Sequence, residues 1–165
     1  MIMKKYLTIV FFIFITLFLQ SSTTQMNCKV YSNLSSYSSD VICNLRDGKI
    51  YKANSSYSSD VLCNIQDNKI YKGTSSYSSD VIYTVSNGKL YKGNSSYSSD
   101  VLYTMRDGKV YKGNSSYSSD VVCTYKDGKV YKGNSSYSSD VLFHFDGYVT
   151  IEEFFAIWHV VKYTF

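Results

Sequence analysis

From Cys28 onward, short runs of apolar and polar residues recur with a period of twenty. In one copy Val101-Leu102-Tyr103-Thr104-Met105 is β-branched, aromatic and apolar, Asp107-Gly108 follows, and Val110-Tyr111-Lys112 resumes the pattern. Two such runs around an Asp-Gly pair predict a β-hairpin with a two-residue turn. Asn87-Gly88 carries the same signal one copy earlier, and Asp67-Asn68 a related one. Gly113-Asn114-Ser115-Ser116 reads as a loop with a residue suited to positive φ. Apolar positions in this region show no 3.6-residue spacing, so strands are expected and helices are not.

Aligned on itself, the chain yields invariant columns. Tyr37, Tyr57, Tyr77, Tyr97, Tyr117 and Tyr137 occupy one; Asp40, Asp60, Asp80, Asp100, Asp120 and Asp140 a second; Tyr31, Tyr51, Tyr71, Tyr91, Tyr111 and Tyr131 a third. Cutting at the Asp-Gly turn gives six units that start at Lys29, Lys49, Lys69, Lys89, Lys109 and Lys129, so the array fills Lys29 to about Gly147. Two architectures suit a twenty-residue β repeat. In a solenoid each unit is one coil, with identical positions stacked about 4.8 Å apart. Alternatively each turn closes an antiparallel hairpin, and the hairpins stack or close into a ring. Hairpin turns and identical columns together predict an all-β repeat protein: a solenoid-like stack of six two-stranded units with a C-terminal capping α-helix.

That helix is expected because the pattern changes after Gly147. Thr150 and Glu153 form a capping-box pair, and Ile151, Phe154, Phe155, Trp158, Val161 and Phe165 follow helical spacing on one face. The spacing predicts a helix over about 152–163, covering the open end of the stack. The stretch DGYVTIEEF also resembles half of an EF-hand. Its first and third ligands would fall on Leu142 and His144, which excludes an ordinary calcium site.

At the other end, Lys4 and Lys5 precede an apolar run from Tyr6 to Leu19, and a small polar segment follows. This is the layout of a secretory signal peptide cleaved within Ser21–Gln25, and the run is shorter than the roughly 20 residues that cross a bilayer. The expected organisation is therefore a signal peptide at 1–24, a repeat domain at 25–147 and a capping helix at 148–165. Export would place the protein outside the cell, on its surface or in a periplasm, without a transmembrane segment once the signal is cleaved.

Composition narrows the chemistry. The net charge of +4 includes the two leader lysines and creates no electrostatic demand for nucleic acid. The column Cys43, Cys63, Tyr83, Tyr103, Cys123, Phe143 behaves as a buried apolar position. Stacking would bring Cys43 and Cys63 within disulfide range, although the pairing of Cys28, Cys43, Cys63 and Cys123 is open among three arrangements. Zinc is not expected, because no C-x-x-C spacing occurs and the histidines are His144 and His159.

In the Asp column each carboxylate is expected to accept hydrogen bonds from nearby serines; one Asp per unit is thin for calcium. The Tyr51 column reads as packing between coils, and the Tyr37 column, set among four serines, as solvent-facing. The Tyr37-type tyrosines with the Asp40-type aspartates thus form the candidate ligand-contact ladder. Asn33, Asn54, Asn94, Asn114 and Asn134 each open an N-x-S sequon. No catalytic residue, cofactor or metal site is expected, since repetition makes every Ser and Asp one of six equivalents while catalysis needs unlike groups at one place.

The segments SSYSSDVLYT, DGKVYKGN and TIEEFFAIWHVVKY together resemble small secreted bacterial repeat proteins of unknown function. The resemblance covers nearly all of Cys28–Phe165 and implies the repeat fold without an activity. The period, the Asp-Gly turns and the aromatic strands are also similar to choline- and glucan-binding repeats of bacterial surface proteins. Those build aromatic cages with tryptophan, whereas Trp158 is the single tryptophan here and stands outside the repeats. The functional expectation is a non-enzymatic secreted or surface protein, structural or adhesive. Its alternatives are a carbohydrate-binding module that uses the tyrosine ladder, binding surface glycans, and a self-associating fibre.

Overall fold

A computed structural model describes residues 27–164; the expected signal peptide and Phe165 lie outside the described residues. Twelve strands follow in chain order: β1 (Cys28–Ser32), β2 (Val41–Arg46), β3 (Lys49–Lys52), β4 (Val61–Gln66), β5 (Lys69–Lys72), β6 (Val81–Ser86), β7 (Lys89–Lys92), β8 (Val101–Arg106), β9 (Lys109–Lys112), β10 (Val121–Lys126), β11 (Lys129–Lys132) and β12 (Val141–Phe145). The last described element is an α-helix, α1 (Ile151–Thr164).

Five hairpins form where the turn chemistry demands them. Asp47 and Gly48 have φ of 53° and 67°, and Asn87 and Gly88 have 50° and 72°. Two successive positive φ angles define the type I′ turn, whose twist matches that of the flanking strands. The sixth hairpin is made from the two ends of the chain. Val30 pairs with Phe145 and Tyr31 with His144, in the register that Ile50 and Leu45, and Tyr51 and Asn44, adopt inside a covalent hairpin.

The hairpins do not stack as a solenoid. Every strand is antiparallel to both neighbours, and the sheet closes on itself in the order β1-β12-β11 down to β2. The physical reason is a bulge repeated in every unit. Between β3 and β4, Ile50 faces Cys63 but Tyr51 faces Val61, so Leu62 is the extra residue. The same shift occurs at the other five junctions between hairpins. Bulges bend a sheet and increase its twist, and six equal bends bring β1 round to β12.

The barrel is filled from within. Three rings of side chains face the interior: Val30, Ile50, Ile70, Leu90, Val110 and Val130; the Cys43-type column; and Leu45 with its equivalents up to Phe145. Helix α1 lies inside these rings and does not cap the end, as the sequence pattern had suggested. Phe154, Phe155, Ala156, Ile157 and Trp158 are consecutive and all buried, which a helix lying on a surface cannot achieve. Its partners surround it: Phe154 meets Tyr125 of β10 and Phe145 of β12, Trp158 meets Phe143, and His159 meets Tyr83 of β6. Twelve strands about 4.8 Å apart give a wall radius of at least about 9 Å. A helix backbone of about 2.3 Å radius then leaves room for both layers of side chains. The capping box forms as expected: Thr150 N–H donates to Glu153 Oε2 at 2.8 Å, and Glu153 N–H to Thr150 Oγ1 at 3.3 Å.

Ring geometry also overturns the disulfide expectation. All four cysteines are free and buried. Cys43 and Cys63 are neighbours in their ring, but β3 runs between them. Two strand spacings are about 9.6 Å, beyond the separation of about 4.4–6.8 Å between Cα atoms that a disulfide needs.

Candidate functional site

The tight turns gather at one end of the barrel, and the six long connections leave from the other. Each connection opens with a residue at positive φ, from 48° at Ala53 to 58° at Gly113. Each is then pinned to the barrel wall by one side chain nine residues earlier. Asn44 Nδ2 donates to the carbonyls of Ala53 and Ser55 at 2.7 and 2.9 Å, and Asn64 repeats this on Gly73 and Ser75. Thr84, Thr104 and Thr124 donate to the carbonyls of Gly93, Gly113 and Gly133. At the seam His144 Nδ1 lies 2.8 Å from the Asn33 carbonyl. This Asn/Thr/His column positions the loops and was missed in the sequence; its polar character on an otherwise apolar strand was the available signal.

Within each loop the tyrosine and aspartate columns meet around one serine. Ser55 Oγ accepts the Tyr57 N–H at 3.2 Å and donates to the Asp60 carboxylate at 2.5 Å. The Asp60 N–H returns to the Tyr57 carbonyl at 3.0 Å. The arrangement recurs around Ser35, Ser75, Ser95, Ser115 and Ser135, where Asp40, Asp80, Asp100, Asp120 and Asp140 accept the serine hydroxyl. Ser39 and Ser99 also donate to Asp40 and Asp100. A short 3-10 turn, such as Ser58–Asp60, closes every loop. The aspartates therefore organise the loops internally.

The tyrosines point outward. Tyr37, Tyr57, Tyr77, Tyr97, Tyr117 and Tyr137 are each 74–75% exposed. Their backbones are nearly superimposable, with φ between −81° and −77° and ψ between 138° and 142°. The expected ladder is in fact a ring, because identical positions are related by rotation about the barrel and do not stack along a coil. Neighbouring loops touch through Asn54 Nδ2 to the Ser38 carbonyl and Asn114 Nδ2 to the Ser98 carbonyl, at 2.8 and 2.9 Å. The Tyr51 column lies on the outer wall with its rings half-buried or buried, and Arg46 and Arg106 sit over Tyr51 and Tyr111.

A second polar cluster breaks the sixfold pattern inside the barrel. Tyr83 Oη lies 3.0 Å from His159 Nδ1, and Lys162 Nζ donates to Tyr103 Oη. Burial lowers the His159 pKa below its ordinary 6.5, while the bond to Tyr103 raises that of Lys162. Burial pushes the thiols of Cys28, Cys63 and Cys123 up to about 12 and that of Cys43 up as well. These thiols stay protonated and are poor nucleophiles and ligands. Among the described residues no three His, Cys, Asp or Glu side chains gather to hold a metal. Among them, too, no helix is long and apolar enough to cross a membrane, and strands of four to six residues fall short of the about 9–11 that a membrane barrel uses.

No curated protein and no solved structure matches the chain. Residues 30–158 match the sequence model described as the 6-fold beta flower protein. That span runs from the strand that closes the ring to the tryptophan at its centre, and the chain belongs to the 6-fold beta flower protein family.

Proposed function

We propose that this protein is a non-enzymatic, exported contact module that adheres through its six tyrosine loops to a hydroxyl-rich polymer such as a surface polysaccharide. The observation that carries this reading is the ring of six tyrosines, each about three-quarters exposed on a backbone of one conformation. A large aromatic ring held in water on a hydrogen-bonded loop loses little entropy on binding. Loops of Tyr, Ser, Asn and Gly combine such rings with adaptable hydroxyl and amide partners, as binding loops elsewhere do. Ligand charge is not called for, because each loop carboxylate is already engaged by a serine. Six weak contacts on one rigid ring gain by multivalency, which raises avidity by about 10²–10⁴ over a single contact. The Lys-Lys and apolar run at the N-terminus supports export.

The fibre alternative is weakened by the closure. Every described strand is paired on both sides, so the barrel offers no edge for templating.

The test is retention on a panel of insoluble polysaccharides and cell walls, comparing the native protein with variants in which two, four or six of these tyrosines become serine. Such exposed substitutions change stability by no more than about 0.5 kcal/mol each. Retention that falls stepwise with tyrosine number is expected. Absence of native retention across the panel would leave a purely structural role.

A further inference from the structure

The helix inside the barrel has one unlike feature at each end. Its first turn is anchored by the Thr150–Glu153 capping box at the tight-turn end. Its second half descends through the lumen, with Trp158 buried against Phe143 and Phe154. Beyond Trp158, α1 makes its polar contacts with two hairpins. His159 meets Tyr83 both by hydrogen bond and edge to face at 5.1 Å, and Lys162 meets Tyr103. In the four other units this column is Cys43, Cys63, Cys123 or Phe143, which offers no comparable partner.

We infer that the C-terminal half of α1 is an acid-sensitive plug, held in the lumen by a neutral His159 and loosened when His159 takes up a proton. The groups facing His159 come from three elements: Tyr83 from β6, Tyr103 of β8 through Lys162, and Lys162 and Tyr163 from α1 itself. None is an acid that would compensate an imidazolium. Glu152 and Glu153 stand two turns back, about 10 Å along the axis. Lys162, three residues on, lies on the same face and is already a cation. Protonation would thus place a second positive charge in a half-buried site near the first, where the Tyr83 hydroxyl, the Tyr163 ring and, beside Lys162, the protonated Cys123 thiol of β10 supply no negative charge.

The sign follows from burial. Because His159 titrates below its ordinary 6.5 when docked, plug stability is fully present above about pH 6.5. It is lost as pH falls through the docked value, where the released helix binds the proton and the docked helix resists it. The loosening is local: the twelve strands carry no histidine but His144, on the outer wall.

Trp158 reports the event, being the single tryptophan and adjacent to His159. Titration from pH 7.5 to 4.5 is expected to red-shift its emission and increase acrylamide quenching several-fold, with a midpoint below 6.5. Strand circular dichroism and strand amide protection should persist. His159→Gln, which keeps a partner for Tyr83 without titrating, should abolish the transition, and Lys162→Gln should move it to lower pH. His144→Asn should leave it in place. A flat titration of the native protein overturns the inference whether or not the variants fold, as does a transition that survives in His159→Gln or one in which the strands melt together with the helix.

Discussion

The carboxylate of Asp146 accepts the backbone N–H of Lys29 at 2.5 Å, across 117 residues of chain. In every other unit the equivalent Asp or Asn begins a covalent turn; here no peptide bond joins the strands. The Asp146 N–H completes the pair by donating to the Lys29 carbonyl at 3.1 Å. Asp146→Ala is expected to cost about 1–2 kcal/mol and to lower Tm by about 2–4 °C per kcal/mol. Asp146→Asn, which keeps an acceptor, should recover most of that loss in a thermal melt.

Glycines in the tight turns are not equal. Gly108 and Gly128 share φ near 72°, but a Cβ at Gly108 would lie 2.5 Å from the Tyr125 carbonyl oxygen, against 3.5 Å to that of Phe145 at Gly128. The cost of positive φ, about 1 kcal/mol for alanine, is common to both. Gly108→Ala should therefore destabilise by about 1–2 kcal/mol more than Gly128→Ala in chemical denaturation, through the added steric conflict. Asn68, at φ 61° in the same column, shows that the position accepts a side chain where the backbone leaves room.

Among the described residues two buried side-chain polar atoms lack a partner, Asn64 Oδ1 in the wall and Trp158 Nε1 in the lumen. Trp158→Ala should cost about 3–5 kcal/mol, because it opens a cavity between Phe143 and Phe154. Trp158→Phe removes the unpaired N–H while keeping an aromatic ring, and should cost less than about 1.5 kcal/mol. Denaturant midpoints of the two variants decide the comparison.

Buried thiols give a covalent test of the ring. With values near 12 for Cys28, Cys63 and Cys123, no thiol should react with an aromatic disulfide reagent in native protein at pH 8. All four should react in guanidinium. Reductant should leave Tm unchanged; a reductant-dependent Tm would mean that a bridge exists.

How far the sequence reached depended on the range of the interaction. Asp107-Gly108 and its equivalents are local signals, as are the Thr150–Glu153 pair and the apolar spacing after it; the hairpins were legible from the first and the limits of α1 from the second. Closure was not. The same turns and columns serve a stack or a ring, and what separates them is the Val30–Phe145 pairing and the bulge at Leu62, neither written in a local motif. The position of α1 was more legible than its reading allowed. One apolar face was singled out, yet Ala156, Ile157 and Val160 make the helix apolar on nearly all sides, which marks burial within a core. Exposure of Tyr37 followed from its four serines. The partnership of Tyr83 with His159 did not, because it joins groups 76 residues apart whose meeting depends on the helix being threaded.

The pairing of β1 with β12 bears on how the chain acquires its structure. During synthesis β1 emerges before the other described strands and must wait for a partner more than a hundred residues away, and the helix that fills the lumen follows that partner. Individual hairpins can flicker into existence meanwhile, but the ring can close only once β12 has emerged. A chain that lacks β1 or β12 keeps two bare sheet edges, and one that also lacks α1 keeps an unfilled apolar interior, the features that drive β proteins to aggregate. The fold thus counts its own units, shutting only when the sixth hairpin is assembled.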